Sequence, residues 1–218
     1  ALKIIEEVNN LNDLQTLLAK HSSMVSSPFF GLSAYADPDD SNINVAYLGT
    51  GGLGLPERDY YLKDDEKSIE IRKEYVAHIT RMLQFIGDSE EDAKKQAELI
   101  LAYETRLAEP RLSKVERRDF RNYNNRYTID KVKEVTPSIN WVKFAEDLGI
   151  KEQLDVVLVM QPKYMKELEK MMAEGNVEDW KTLMRWSTLN SSASRLTTEI
   201  EKANWDFYSK TLSGAKKQ

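Results

Sequence analysis

The sequence predicts a mainly α protein, a multi-helix bundle with a long C-terminal helix and one small β-hairpin. Over most of the 218 residues, apolar side chains recur every three or four positions, the spacing of a helix with one buried face. A single window, residues 28–49, switches to short β-prone runs around an acidic turn. From Asn176 to Gly214 one apolar stripe continues for more than thirty residues, which predicts the long last helix.

In chain order, Ile4, Ile5, Val8, Leu11, Leu14, Leu17 and Leu18 predict two short helices broken near Asn9-Asn10. Phe29–Ala36 and Asn44–Leu48 flank Asp37-Pro38-Asp39-Asp40-Ser41, a turn cluster between two strands. Residues 49–56, GTGGLGLP, cannot continue a strand: glycine permits close backbone approach, and Pro56 forces Leu55 extended. Ile69, Tyr75, Val76, Ile79, Met82, Leu83 and Ile86 form the next stripe, ended by Gly87. Ser89 and Asp92 read as a capping box. The helix they open has an inner face of Ala93, Ala97, Ile100, Leu101, Glu104 and Leu107, and ends at Pro110.

A polar stretch covers 113–128. Short helices near 128–135 and 140–148 flank Pro137, and DVVLVM (155–160) reads as a short strand or an extended piece. Pro162 starts a helix to Ala173. Asn176 caps the last helix, whose stripe includes Trp180, Leu183, Met184, Trp186, Leu189, Leu196, Ile200 and Phe207. With no repeat and no Gly/Ser-rich linker, residues 1–218 are expected to form a single helical domain.

Hydrophobic residues make up 41% and charged residues 31%, the balance of a soluble globular chain with a core. A net charge of −5 gives no reason to expect nucleic acid as a partner. Without cysteine, disulfides and thiolate zinc sites are excluded. No apolar run approaches the ~20 residues of a membrane helix. The chain begins inside an amphipathic pattern and without Met, so it is expected to be an excised or processed piece of a longer protein.

No catalytic and no metal-binding residue is assigned. His21 and His78 are too far apart in sequence to share one helical zinc face, and neither belongs to an HExxH motif. His78 is read as a packing or surface residue and His21 as exposed at a helix end. The acidic pairs fall at turns and first helical turns, where the helix dipole favours them. GTGGLG lacks the Lys-Ser/Thr of a phosphate loop. In ERRDFRNYNNR (116–126), Arg117 and Arg118 are expected to pair with local carboxylates or helix carbonyls. Asp119 belongs to the same stretch, and Tyr123 and Asn124 are expected to anchor an irregular turn.

LGLPERDYYL (53–62) resembles the LGLPxRDYY signature of the neprilysin-like zinc metallopeptidases, the family of neprilysin, endothelin-converting enzyme and bacterial endopeptidase O. The Asp-rich hairpin before it, ERRD…YN (116–124), INWVKF (139–144), VV…P.Y (156–164), LMRW (183–186) and NWDFYSKTLSG (204–214) resemble the same family in order. Thr50 departs from the Gln that the family commonly has there.

The resemblance implies a two-domain endopeptidase. A thermolysin-like domain with HExxH would hold zinc, and a helical domain would close a chamber that admits only oligopeptides. This chain resembles the helical part. Zinc is therefore expected in the parent protein and not in this fragment, which is expected to be inactive alone. Its partners would be the missing catalytic domain and oligopeptide substrates. The family and the lack of cysteine imply an extracytoplasmic, bacterial setting. Leu53, Gly54, Leu55 and Pro56 are read as the structural corner; Arg58 and Asp59 would pin it by charged hydrogen bonds, and Tyr60 and Tyr61 would dock on helices. The alternative reading is a non-catalytic helical module that binds a peptide or protein.

Overall fold

The structure is a computed structural model that describes residues 1–216. Its helices are Leu2–Glu6 (α1), Leu11–Lys20 (α2), Arg58–Leu62 (α3), Glu66–Phe85 (α4), Glu90–Ala108 (α5), Ile129–Val135 (α6), Trp141–Leu148 (α7), Pro162–Glu174 (α8), Val177–Ser192 (α9) and Thr198–Trp205 (α10). Its strands are Phe30–Ala36 (β1), Asn44–Thr50 (β2), Arg126–Thr128 (β3) and Val156–Val159 (β4). The mainly α class holds. Among the described residues, no helix is long and apolar enough to cross a membrane. The chain divides into two compact units, Ala1–Gly52 with Pro110–Lys181, and Leu53–Glu109 with the residues from Thr182 onward; the division falls inside α9.

The first unit is built on a four-stranded sheet in the order β1-β2-β4-β3. β1 and β2 form the expected hairpin, in register from Phe30↔Thr50 to Ala36↔Asn44. The DVVLVM run becomes β4, parallel to β2 (Ala46↔Val157, Leu48↔Val159) and antiparallel to β3. Val157, Leu158 and Val159 are buried, which is why this strand carries a continuous apolar run and no alternation.

Phe30 at the start of β1 packs on Trp141 and Phe144 of α7, with ring centroids 5.1 and 5.3 Å away. Burying each of these rings contributes roughly 1.5–3 kcal/mol. The Trp141 indole N–H donates to Thr136 Oγ1 at 2.7 Å, so the one polar atom of this cluster is satisfied. Gln15 of α2 donates to Ser138 O (3.0 Å) and accepts from Asn140 N (2.8 Å), which ties α2 to the turn that opens α7. At the hairpin turn, Arg126 of β3 donates to Asp37 and, at 2.8 Å, to Asp39. The guanidinium beside Asp37 holds that carboxyl below its usual range.

In the second unit, Asp65 and Ser89 cap α4 and α5: their side chains accept from Ser68 N (3.0 Å) and Asp92 N (3.1 Å). Gly87, at φ 106°, stops α4 as the sequence requires. The inner face of α4 is made by Tyr75, Ile79, Met82 and Leu83, all fully buried, but Ile69 is half exposed and lies off the stripe.

The single last helix is not observed. Asn176 does cap α9, accepting from Asp179 N at 3.0 Å. After Ser192 the chain makes one 3-10 turn, Ala193–Arg195, then two extended residues, Leu196 (ψ −153°) and Thr197 (ψ 155°). α10 follows, and it widens into a π-helix over Asp206–Leu212. The reason is local: Asn190, Ser191, Ser192, Ser194 and Thr197 are weak helix formers, Ser191 Oγ donates to Thr188 O at 3.1 Å, and Thr197 sits in the extended conformation of an N-cap without a side-chain cap bond. Leu196 keeps the helical spacing in sequence but is 45% exposed at the break.

Candidate functional site

The glycine corner is secured in each unit by a different set of groups. In the first unit, Gly51 N donates to Tyr164 Oη (3.3 Å), and Gly51 O accepts from Arg111 Nη2 (2.7 Å). The Tyr164 hydroxyl in turn donates to Phe29 O at 2.6 Å. A Cβ on Gly51 would lie 2.1 Å from Pro28 O, so no other residue fits without moving backbone.

In the second unit the corner rests on Glu104, 5% exposed on the inner face of α5. Its Oε1 accepts from Gly54 N (3.2 Å). Its Oε2 accepts from the hydroxyls of Tyr61 (2.7 Å) and Tyr75 (2.8 Å). Tyr61 Oη also accepts from Leu55 N (2.7 Å), and Tyr75 Oη from the Trp186 indole N–H (3.1 Å). One carboxylate thus joins the corner, α3, α4 and α9. Burial pushes Glu104 above the usual carboxylate range, opposed by the Tyr61, Tyr75 and Gly54 donors. Burial, and then the charge of Glu104, push both tyrosines well above theirs. A Cβ on Gly54 would meet Tyr75 Oη at 1.7 Å, so this glycine is required by space; its φ is not positive.

The residues singled out in the sequence take distinct places. Leu55 and Tyr61 are buried; Leu53, Gly54, Arg58 and Tyr60 are half-buried; Pro56 and Asp59 are exposed. Asp59 pairs with Lys63 at 2.9 Å, an exposed i,i+4 pair worth ~0.2–0.5 kcal/mol. The Arg72 guanidinium donates to Tyr60 O (2.8 Å) and Lys63 O (2.7 Å) at the end of α3.

The stretch 116–124 lies in the first unit as two 3-10 turns, Glu116–Arg118 and Phe120–Asn122. Arg117 and Arg118 are exposed, and Asp119 pairs with Arg121 at 2.7 Å. The turn is held by Asn122 to Glu116 O (2.7 Å) and Asn125 to Asn122 O (2.9 Å). Tyr123 is half-buried, and that burial raises its hydroxyl pKa.

Glu104, Tyr75, Trp186 and Arg72 carry this site and were not predicted to. The signal for Glu104 was a carboxylate on the apolar face of α5, where an acid is rare without donors. Among the described residues, no three His, Asp or Glu side chains converge to hold a metal ion. His21 ends α2 in the first unit, and His78 is 4% exposed among aromatic rings in the second.

The model of Peptidase family M13, in its N-terminal part, matches residues 1–218. Endothelin-converting enzyme 1 of Mus musculus is 26% identical over 213 residues, 96% of this chain and 27% of that protein. An endothelin-converting enzyme homolog of Locusta migratoria is 29% identical over 179 residues, 77% of this chain and 24% of that protein. Among solved structures, the zinc metalloprotease Zmp1 of Mycobacterium tuberculosis in its open state has a TM-score of 0.92 at 29% identity, covering 100% of this chain and 34% of that one. PepO from Lactobacillus rhamnosis has a TM-score of 0.80 at 19% identity over 98% of this chain and 34% of its own, a likeness of fold. The chain thus spans between 24% and 34% of the length of these relatives.

Proposed function

This chain belongs to peptidase family M13, as an N-terminal part of it, and from that membership we propose that it is the substrate-restricting helical region of a zinc endopeptidase that hydrolyses oligopeptides. The observation that carries the reading is the match over the whole chain to a zinc metalloprotease of which it spans only 34%. Zinc, its ligands and the base that activates water belong, in this reading, to the remaining part of a longer protein. The residues described here bind no zinc in it and take no chemical step. Their part is mechanical. Five hydrogen bonds converge on Glu104, Tyr61 and Tyr75 and hold the corner from beneath. A wall so held excludes a folded protein by shape and admits a flexible peptide.

The full-length protein tests this. A short peptide is offered free, and again as a surface loop of a folded carrier. The free peptide is expected to be cleaved at least an order of magnitude faster, and unfolding the carrier to restore cleavage. Equal rates on the free and the folded form would end the size-restriction reading. The 218-residue chain alone is expected to give no chelator-sensitive cleavage.

A further inference from the structure

A cavity lies within the second unit. It has a volume of about 230 Å³ and is bounded by Glu74, His78 and Arg81 of α4 and by Asp206, Phe207 and Lys210 of the π-helix. That is below the ~300–1,000 Å³ of sites for drug-sized ligands, so it suits a molecule of few heavy atoms. Its walls carry two carboxylates and two cations. Among the described residues, none of these four side chains makes a hydrogen bond or ion pair with protein. Asp206 and Lys210 stand four apart, the spacing that pairs charges on an α-helix. Here the turn is widened to a π-helix, a form found often at functional sites, and the two charges stay apart.

The wall of the cavity is as unusual as its rim. His78 is 4% exposed, and neither ring nitrogen has a partner in the protein. Phe207 stacks on its face, at 4.7 Å and 8°, and Trp186 and Tyr208 meet it edge-on at 5.8 and 5.5 Å. A neutral imidazole offers one donor and one acceptor, and leaving them unmade costs about 1–3 kcal/mol. An anion alone would be repelled by Glu74 and Asp206, and a cation alone by Arg81 and Lys210. A ligand that carries both charges answers both pairs at the rim.

We propose that this cavity binds a small zwitterion, an amino acid or dipeptide, with its carboxylate toward Arg81 and Lys210 and its ammonium toward Glu74 and Asp206. The inference does not rest on the peptidase reading, and its test separates the two. Calorimetric titration of the full-length protein with L-alanine is run with a chelator present, so that binding at a metal centre is silent. Saturable binding is expected, weakened roughly tenfold or more for N-acetyl-L-alanine and for L-alaninamide, each of which lacks one charge. Arg81→Ala and Asp206→Asn are expected to weaken L-alanine to a similar degree, and Arg81→Lys to retain part of the affinity. Melting of each variant is followed alongside; these are rim side chains, and an unchanged melt assigns the loss to the site. No saturable heat at millimolar L-alanine would overturn the proposal, as would equal binding of N-acetyl-L-alanine or affinity unchanged in Arg81→Ala and Asp206→Asn.

Discussion

Glu104 gathers three donors from three parts of the second unit, and its removal is the substitution with the largest expected cost there. Glu104→Ala strands Gly54 N and two tyrosine hydroxyls in a dry interior, and is expected to cost about 3 kcal/mol or more by urea unfolding. Glu104→Gln keeps the shape and one acceptor and is expected to cost about 1 kcal/mol. Equal costs for the two would mean that shape, not hydrogen bonding, is what Glu104 supplies.

His78 sets a pH dependence. Burial first, and Arg81 second, lower its pKa from 6.5 to about 3. The folded state therefore holds His78 neutral where the unfolded chain protonates it. Stability is unpenalised above pH 6.5 and falls by about 1.4 kcal/mol per unit as the pH drops toward 3. The charged groups around the ring are Glu74 and Arg81 on its own helix and Asp206 and Lys210 across from it; the titratable Tyr208, neutral here, meets the ring edge-on. His78→Phe keeps the stacking on Phe207 and is expected to remove this slope, a difference of about 2 kcal/mol between pH 6.5 and roughly pH 5. Glu104 works in the opposite direction. Its raised pKa gives stability that is full below the ordinary glutamate range and is lost as pH rises through the raised value. Parallel pH profiles for wild type and His78→Phe would rule out the assignment.

At the scale of the element, caps decide where helices begin, and they are among the most local of interactions. The Ser89 hydroxyl accepts from Asp92 N (3.1 Å) and donates to the Asp92 carboxylate (2.7 Å). Ser89→Ala is expected to lower stability by about 1 kcal/mol, read as a fall in the melting temperature, while Ser89→Asp is expected to keep most of it. Asp65, Asn140 and Asn176 act in the same way on α4, α7 and α9. Each is readable because donor and acceptor lie three residues apart. The break after α9 was not readable from the apolar stripe, which continues through Leu196 and Ile200. It was written in the polar side chains from Asn190 to Thr197, since a run of Ser, Asn and Thr weakens a helix even where its apolar spacing persists.

At the scale of the whole molecule, each compact unit is assembled from two separated stretches of chain. The second needs its C-terminal stretch: Trp186 donates to Tyr75, and Phe207 covers His78. A chain ending at Lys181 is expected to lose amide protection through α4 and α5 and to keep it in β2 and β4, as hydrogen exchange would report. Full protection of α4 and α5 in that truncation would show that the two helices need no closing residues. The sequence by itself determined the helical class, the hairpin, most helix starts and the glycine corner, because these depend on neighbours within a few residues. Only the tertiary structure decided that β4 joins the hairpin as a parallel strand, that Glu104 is the acceptor beneath the corner, and that Arg72 reaches the carbonyls of Tyr60 and Lys63. Those outcomes depend on partners far along the chain: Gly54 and Glu104 are 50 residues apart, and Tyr75 and Trp186 are 111. Pattern along the chain shows which face of a helix is buried; only folding brings to that face the particular donors that let a charged side chain be buried there.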